Sequence, residues 1–311
     1  MRPEPSAGNS KPVWCFGAVH LDTIVHADVE LQQDTSTPAR FHESLGGVAT
    51  NVAVGLAKLG VCTELHGAVG QDDAAARIMS RLQETSVVPH LIERTKEATG
   101  RYCAFHQPDG QMAMACVEGR ILETAPSTLF ENAVRCAQDQ TDMIWFADAN
   151  LPVPVLQGIA SAKQDRFLAL DAVSVTKAGR LEAVLPACDL LFINRAEAAA
   201  LLEGTRPTTS QDTVTALQHM GAGSVILTAG ADGLYWAVER STPQHLPALE
   251  VSAKDVTGAG DALIAGTLAA LSRELGLETA IQYGRAAATR TLTSNGATAA
   301  KYSWDDLSQS L

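Results

Sequence analysis

The sequence has no Cys-x-x-Cys pair, its six cysteines (Cys15, Cys62, Cys103, Cys116, Cys136 and Cys188) being scattered through 311 residues. That excludes a zinc knuckle and offers no disulfide framework, so a reducing, cytoplasmic setting is the expectation. Basic charge is also scarce: 23 Lys and Arg stand against 35 Asp and Glu, a net −12 that would repel a polyphosphate backbone. A nucleic-acid polymer is not an expected partner. No window approaches the ~20 uninterrupted apolar residues of a membrane span, so no membrane association is expected. Residues 1–11 are polar, carry Pro3, Pro5 and Gly8, and lack the apolar middle of a signal peptide. They read as a disordered N-terminal tail ahead of a domain over 12–311. The remainder, 46 % hydrophobic and 19 % charged over the whole chain, has the composition of a folded globular protein.

What is present is a rhythm. Residues 13–19 and 21–26 read as strands, and 32–40 as a polar loop. After Gly46-Gly47, the apolar Val48, Val52, Leu56 and Leu59 recur at helical spacing until Gly60. A strand at 62–69 and a helix at 73–85 follow. Two β-prone runs, 102–106 and 112–117, then flank the turn tripeptide Pro108-Asp109-Gly110, a hairpin inserted into the alternation. Beyond it, strands at 143–147, 167–170, 190–193 and 224–228 alternate with helices at 152–162, 178–185, 196–202 and 213–220. A strand pair near 233–238 and helices at 261–275 and 279–292 complete the chain. This order predicts an α/β fold whose mostly parallel sheet is covered on both faces.

The most informative stretch is Asp255-Val256-Thr257-Gly258-Ala259-Gly260-Asp261. Two glycines ahead of an apolar helix let several N–H groups and the positive helix end converge on an anion. This is a phosphate cradle without the lysine of a P-loop, which the sequence lacks. Asp261 stands at its mouth, placed either to take a proton from a hydroxyl attacking a γ-phosphate or to cap its own helix. Gly46-Gly47 with Asn51 suits a polyol, and Gly46-Gly47 taken alone better suits a strand-to-helix turn with Asn51 serving local backbone. Asp22, after the first strand, could hold two vicinal hydroxyls or be a surface turn residue. Asn194 and Glu197 have the spacing to face a metal-bound phosphate through water, Glu197 being otherwise a solvated first-turn residue. Thr228, Gly230 and Gly233 could carry a nucleotide across a strand end or form an ordinary hairpin loop. Asn295 could wrap adenine or cap the last helix, and Ala288 could pack an adenine face. No histidine cluster shows metal-ligand spacing, and no Gly-x-Ser-x-Gly elbow supports hydrolysis.

Gly46-Gly47, Asn194-x-x-Glu197 and the stretch from Asp255 to Asp261, in that order, resemble the PfkB, or ribokinase-like, family of sugar and nucleoside kinases over nearly the whole chain. The resemblance implies a three-layer α/β/α domain with a small β-strand lid, here about 21–44 and 99–118. It implies ATP, Mg2+ and, near Asp255 and Thr257, a monovalent cation such as K+. Asp261 would be the base and Gly258, Ala259 and Gly260 the anion cradle. Asp22, Gly46, Gly47 and Asn51 would hold the acceptor. Asn194, Glu197, Thr228, Gly230, Gly233, Thr257, Ala288 and Asn295 would face the nucleotide, with Glu197 reaching Mg2+ through water. Phe146-Ala147-Asp148-Ala149-Asn150, Leu170-Asp171-Ala172-Val173-Ser174 with Lys177, and Ile193-Asn194-Arg195-Ala196-Glu197-Ala198 resemble runs of the pseudouridine kinase subfamily. This implies phosphorylation of a free nucleoside at O5′, with Asn150 and Lys177 among the substrate contacts. That subfamily usually has proline where Ala172 stands, a change that removes no reactive group. Ribokinase, adenosine kinase and ketohexose kinase are alternatives on the same scaffold, and a non-catalytic nucleoside sensor is the alternative of another class. The open strand edges of the lid suit a homodimer.

Overall fold

In the computed structural model, residues 10–205, 207–249, 258–293 and 302–311 are described. Among them, nine strands make the main sheet: β1 (Val13–Phe16), β4 (Thr63–Val69), β5 (Val88–Glu93), β8 (Ile144–Asp148), β9 (Phe167–Asp171), β10 (Leu190–Asn194), β11 (Ser224–Thr228), β12 (Leu234–Ala237) and β13 (Gln244–Leu246). Their order is β13-β12-β11-β10-β9-β8-β1-β4-β5. Every pairing from β5 across to β11 is parallel, and only β12 and β13 run antiparallel.

The helices are α1 (Val48–Lys58), α2 (Asp73–Leu82), α3 (Arg120–Glu123), α4 (Glu131–Cys136), α5 (Val153–Ala162), α6 (Val175–Ala178), α7 (Arg195–Leu201), α8 (Ser210–His219), α9 (Ala259–Ser272), α10 (Leu277–Leu292) and α11 (Trp304–Ser308). Period-two alternation along the strands sorts side chains into two cores. Val13, Cys15, Ile144, Phe146, Leu190 and Phe192 point to one face, where they meet α1, α9 and α10. Trp14, Phe16, Trp145, Leu191 and Ile193 point to the other, against α5, α7 and α8. Both faces are apolar because both are covered, which is the three-layer α/β/α arrangement that the family resemblance implied.

A second sheet of four strands has the order β3-β2-β6-β7, from β2 (His20–Ala27), β3 (Ala39–Gly46), β6 (Gly100–His106) and β7 (Met112–Glu118). These strands fall in the segments read as a lid. Strand β3 begins in residues read as a loop (39–40) and runs through 41–45, which carry no strand pattern of their own; with charged or polar side chains Arg40, His42, Glu43 and Ser44 on both its faces, it forms by pairing with β2. Edge strand β5 was likewise not foreseen, since Pro89 and His90 interrupt its apolar pattern. The helix expected at 178–185 is instead a 3-10 helix, Gly179–Ala187, ending over Pro186, which cannot donate a backbone bond. Of the tail read over 1–11, residues 1–9 lie outside the described set. Lys11 is anchored: its N–H donates to Ser272 O (2.8 Å) and its ammonium lies 2.8 Å from Asp142 and 3.3 Å from Glu274. All six cysteines are free. No helix among the described residues is long and apolar enough to cross a membrane.

Candidate active site

The carboxyl ends of β8, β9, β10 and β11 deliver Asp148, Asp171, Asn194 and Thr228 to one edge of the main sheet. Helix α9 points its first turn at the same edge. Its N-cap is Gly258, at φ 76°, a left-handed conformation that glycine adopts without strain. The α9 ladder starts with Ala262 N–H donating to Gly258 O (2.9 Å). The amides before it are those a helix start leaves for an outside acceptor.

Asp261 is not the cap of its helix. It lies in the first turn, and its Oδ2 accepts from Asn51 Nδ2 on α1 at 2.7 Å. Asn51 therefore spans two helices rather than serving local backbone. Burial, together with the Asp148 charge, raises Asp261 to about 6 against the hydrogen bond from Asn51, which lowers it. Asp22 enters from the second sheet, where β2 pairs it with Ser44 and Tyr102. Its Oδ1 is buried without a hydrogen-bond partner among the described residues, as is Asn51 Oδ1. Burial first and the Asp261 charge second raise Asp22 to about 7. Gly46 lies against that carboxylate so closely that a Cβ would overlap it. Gly47, at φ 90°, is the N-cap of α1, and a Cβ there would run into Ala18 O.

Beside this group, Asp148 accepts from Ala18 N–H (3.0 Å), Ala49 N–H (2.8 Å) and Asn150 N–H (3.0 Å), fixing both loops that border the Asp22 site. Asn150 is buried, and its Oδ1 accepts from Lys177 Nζ at 2.5 Å. Burial lowers Lys177.

Asn194 and Glu197 form a capping box on α7: Asn194 Oδ1 accepts from Glu197 N–H and Glu197 Oε2 from Asn194 N–H, both at 2.9 Å. Glu197 is buried rather than solvated, and burial raises its pKa. It lines a small cavity of about 140 Å³ with Asp171, Asn194, Thr228, Gly260 and Asp261. Asp171 was not singled out from the sequence as a site residue. Burial and the charges of Glu197, Asp261 and Asp148 hold it well above the usual carboxylate range. So dense a set of oxygen donors, each of its carboxylates raised in pKa first by burial, fits a hard divalent cation.

Thr228 and Gly260 also line a second cavity of about 600 Å³, which runs between the β11–β12 turn and α10 past Gly230, Gly233, Ala259 and Ala288. That turn is a hairpin, with Ala229 N–H donating to Gly233 O (2.8 Å), and a cavity wall at once. Arg285 reaches the same cavity with its Nε buried and unpartnered, a residue no sequence pattern marked. Asp255, Thr257 and Asn295 lie outside the described residues.

The class of protein, a phosphotransferase that acts on an alcohol, follows from the family match. Residues 11–304 match the pfkB family carbohydrate kinase, and the chain belongs to that family of sugar and nucleoside kinases. It is 30 % identical over 296 residues to the bifunctional protein HldE of Caulobacter vibrioides, an alignment covering 85 % of this chain but 56 % of that relative. The pseudouridine kinase of Escherichia coli is 26 % identical over 255 residues, 81 % of this chain and 80 % of that enzyme. Among solved structures, a carbohydrate kinase from Agrobacterium tumefaciens superposes with a TM-score of 0.84 at 28 % identity, covering 96 % of each chain.

Proposed function

We propose that the protein is an ATP-dependent kinase that phosphorylates the 5′-hydroxyl of a free nucleoside, pseudouridine, to the 5′-phosphate. The observation that carries this reading is the pair of orphaned acceptors, Asp22 Oδ1 and Asn51 Oδ1, beside the Asn51–Asp261 contact. A buried polar atom left without a partner costs about 1–3 kcal/mol, and ribose hydroxyls are donors that would offset both.

Asp22, Gly46, Gly47 and Asn51 hold the ribose, Gly46 by leaving room for the Asp22 carboxylate. Asp261 accepts the proton of the O5′ hydroxyl as O5′ forms its bond to the γ-phosphorus; the bond from that phosphorus to the β,γ-bridging oxygen breaks, and ADP leaves with the electron pair. Amides of Gly258, Ala259 and Gly260 stabilise the charge on the transferred oxygens, and positioning supplies much of the rate. Asp171, Glu197 and Asn194 would hold hydrated Mg2+, which when bound neutralises phosphate charge. Thr228, Gly230, Gly233 and Ala288 line the nucleotide slot. K+ near Asp255 and Thr257, and Asn295 at adenine, rest on residues outside the described set and enter no step.

Asn150 and Lys177 are assigned to the base, where their remaining N–H groups suit the carbonyl oxygens of a pyrimidinedione ring. The four-stranded sheet acts as a lid that excludes water from the phosphoryl transfer. Its outer face seats a second copy in a homodimer. Free cysteines are consistent with a cytoplasmic setting.

A coupled ADP-release assay with pseudouridine, uridine, adenosine, ribose and fructose tests the reading. The highest kcat/KM is expected with pseudouridine. A higher value with ribose, adenosine or fructose reassigns the acceptor, and binding of pseudouridine without ADP release makes the protein a sensor.

A further inference from the structure

At the β5 edge of the main sheet, β4 and β5 bring together three groups that sequence spacing hides. Glu64 and His66 are two residues apart on β4 and therefore share a face. His66 and His90, 24 positions apart in sequence, are register partners across the parallel β4–β5 pair. Glu64 Oε2 lies 2.9 Å from His90 Nε2 and 3.4 Å from His66 Nε2. One ligand atom from each side chain falls within 4.8 Å of the other two.

His66 is the unusual member. Its side chain is 3 % exposed, walled by the rings of Trp14 and Phe16 at 4.7 and 4.8 Å, and its Nε2 has no hydrogen-bond partner among the described residues. His90 is half-exposed and Glu64 is 27 % exposed, so the cluster opens to solvent on one side.

We propose that Glu64, His66 and His90 form a binding site for a zinc-type divalent cation, with water completing the shell on the open side. Two imidazoles and one carboxylate are a donor set for Zn2+ or Co2+ and a poor one for Mg2+, which prefers oxygen. A tetrahedral ion with ligands at 2.0–2.1 Å holds its ligand atoms about 3.3 Å apart, close to the two separations from Glu64. The rings stack at 4.8 Å with planes 9° apart, so they must tilt to aim both lone pairs at one ion. His90, on the outer strand, has room to do so. The bound ion would tie edge strand β5 to β4.

The test uses the full-length protein, stripped with chelator and returned to excess Mg2+ so that oxygen-rich sites are filled. Co2+ is titrated by visible absorption, and Zn2+ by competition and by the imidazole nitrogen signals of His66 and His90 in NMR spectra. One equivalent is expected to bind with nitrogen ligation, to shift both histidine signals and to raise Tm. His90→Gln and Glu64→Gln should each weaken binding by at least about tenfold and abolish the Tm rise while kinase turnover persists. The proposal is overturned if both variants bind Co2+ as tightly as the parent, which would move the ion elsewhere. It is equally overturned if Zn2+ leaves both histidine signals in place, which would leave the cluster an ordinary ion pair.

Discussion

Asp261 and Asn51 are 210 positions apart in sequence and joined by one 2.7 Å hydrogen bond, so the chemistry at this residue depends on how two helix starts meet. If Asp261 receives the hydroxyl proton, Asp261→Asn should lower kcat by about 10²–10⁴ while nucleotide affinity, read by ADP titration calorimetry, stays within about twofold. Unchanged turnover would remove Asp261 from the proton path. The pH profile gives a second reading. Asp261 is raised to about 6 and Asp22 to about 7, so both are increasingly protonated as pH falls through that range. A protonated Asp261 cannot act as base, and a protonated Asp22 can accept fewer hydroxyl protons. The kcat/KM for the acceptor should therefore level off above about pH 8 and fall toward acid, its slope approaching two below about pH 5. A profile flat from pH 5 to 8, in about one-unit steps, would contradict both assignments. The sequence marked Asp261 through its glycines, but left cap and base open; the side chain's turn toward Asn51 separates them. Asp171 stood only within a run matched to a subfamily and was given no role, because its significance lies in burial among Glu197, Asp261 and Asp148, a property of the folded site alone.

At the scale of elements, α7 and the Gly46–Gly47 turn each perform two tasks, and substitutions can divide them. Glu197 closes a capping box and also lines the small carboxylate cavity. Glutamine serves a capping box as well as glutamate does but lacks the charge. Glu197→Gln should thus leave Tm within about 2 °C and raise the Mg2+ concentration for half-maximal turnover at least about tenfold. A lowered Tm with unchanged Mg2+ dependence would reduce Glu197 to a structural cap. Gly46→Ala would thrust a methyl into the Asp22 carboxylate, and a displacement of about 1 Å there is worth about 10² in rate. Its expected signature is a loss in kcat/KM for the acceptor with little change in KM for ATP, measured by varying each substrate in turn. Elements whose periodicity matched their burial, such as α1 and the strands β8 to β11, could be read from sequence. Strands β3 and β5 could not, since exposed strands carry polar residues on both faces and take their identity from the neighbour they pair with.

At the scale of the molecule, the two sheets divide the labour: the large one fixes carboxylates and cradle, and the small one supplies Asp22 and leaves an apolar face outside. Register places Phe41, Val25, Phe105 and Met114 in one row across all four strands of the small sheet. Phe41 is 73 % exposed and Met114 55 % exposed, so in a single chain much of this row meets water. Asp22, an odd number of residues from Val25 along β2, points to the opposite face. A second copy seated on the row would bury the apolar side chains and brace the strand that carries Asp22 into the acceptor site. Sedimentation velocity should accordingly find a dimer, and Phe41→Asp combined with Met114→Asp should weaken association at least about 100-fold by placing charges in a desolvated contact. Because the partner would steady the lid rather than touch the nucleotide slot, the monomeric variant should show a raised KM for the acceptor and an unaltered KM for ATP. A variant that sediments like its parent would place the contact elsewhere, and one that is monomeric with unaltered acceptor KM would show that the lid holds Asp22 in position without a partner.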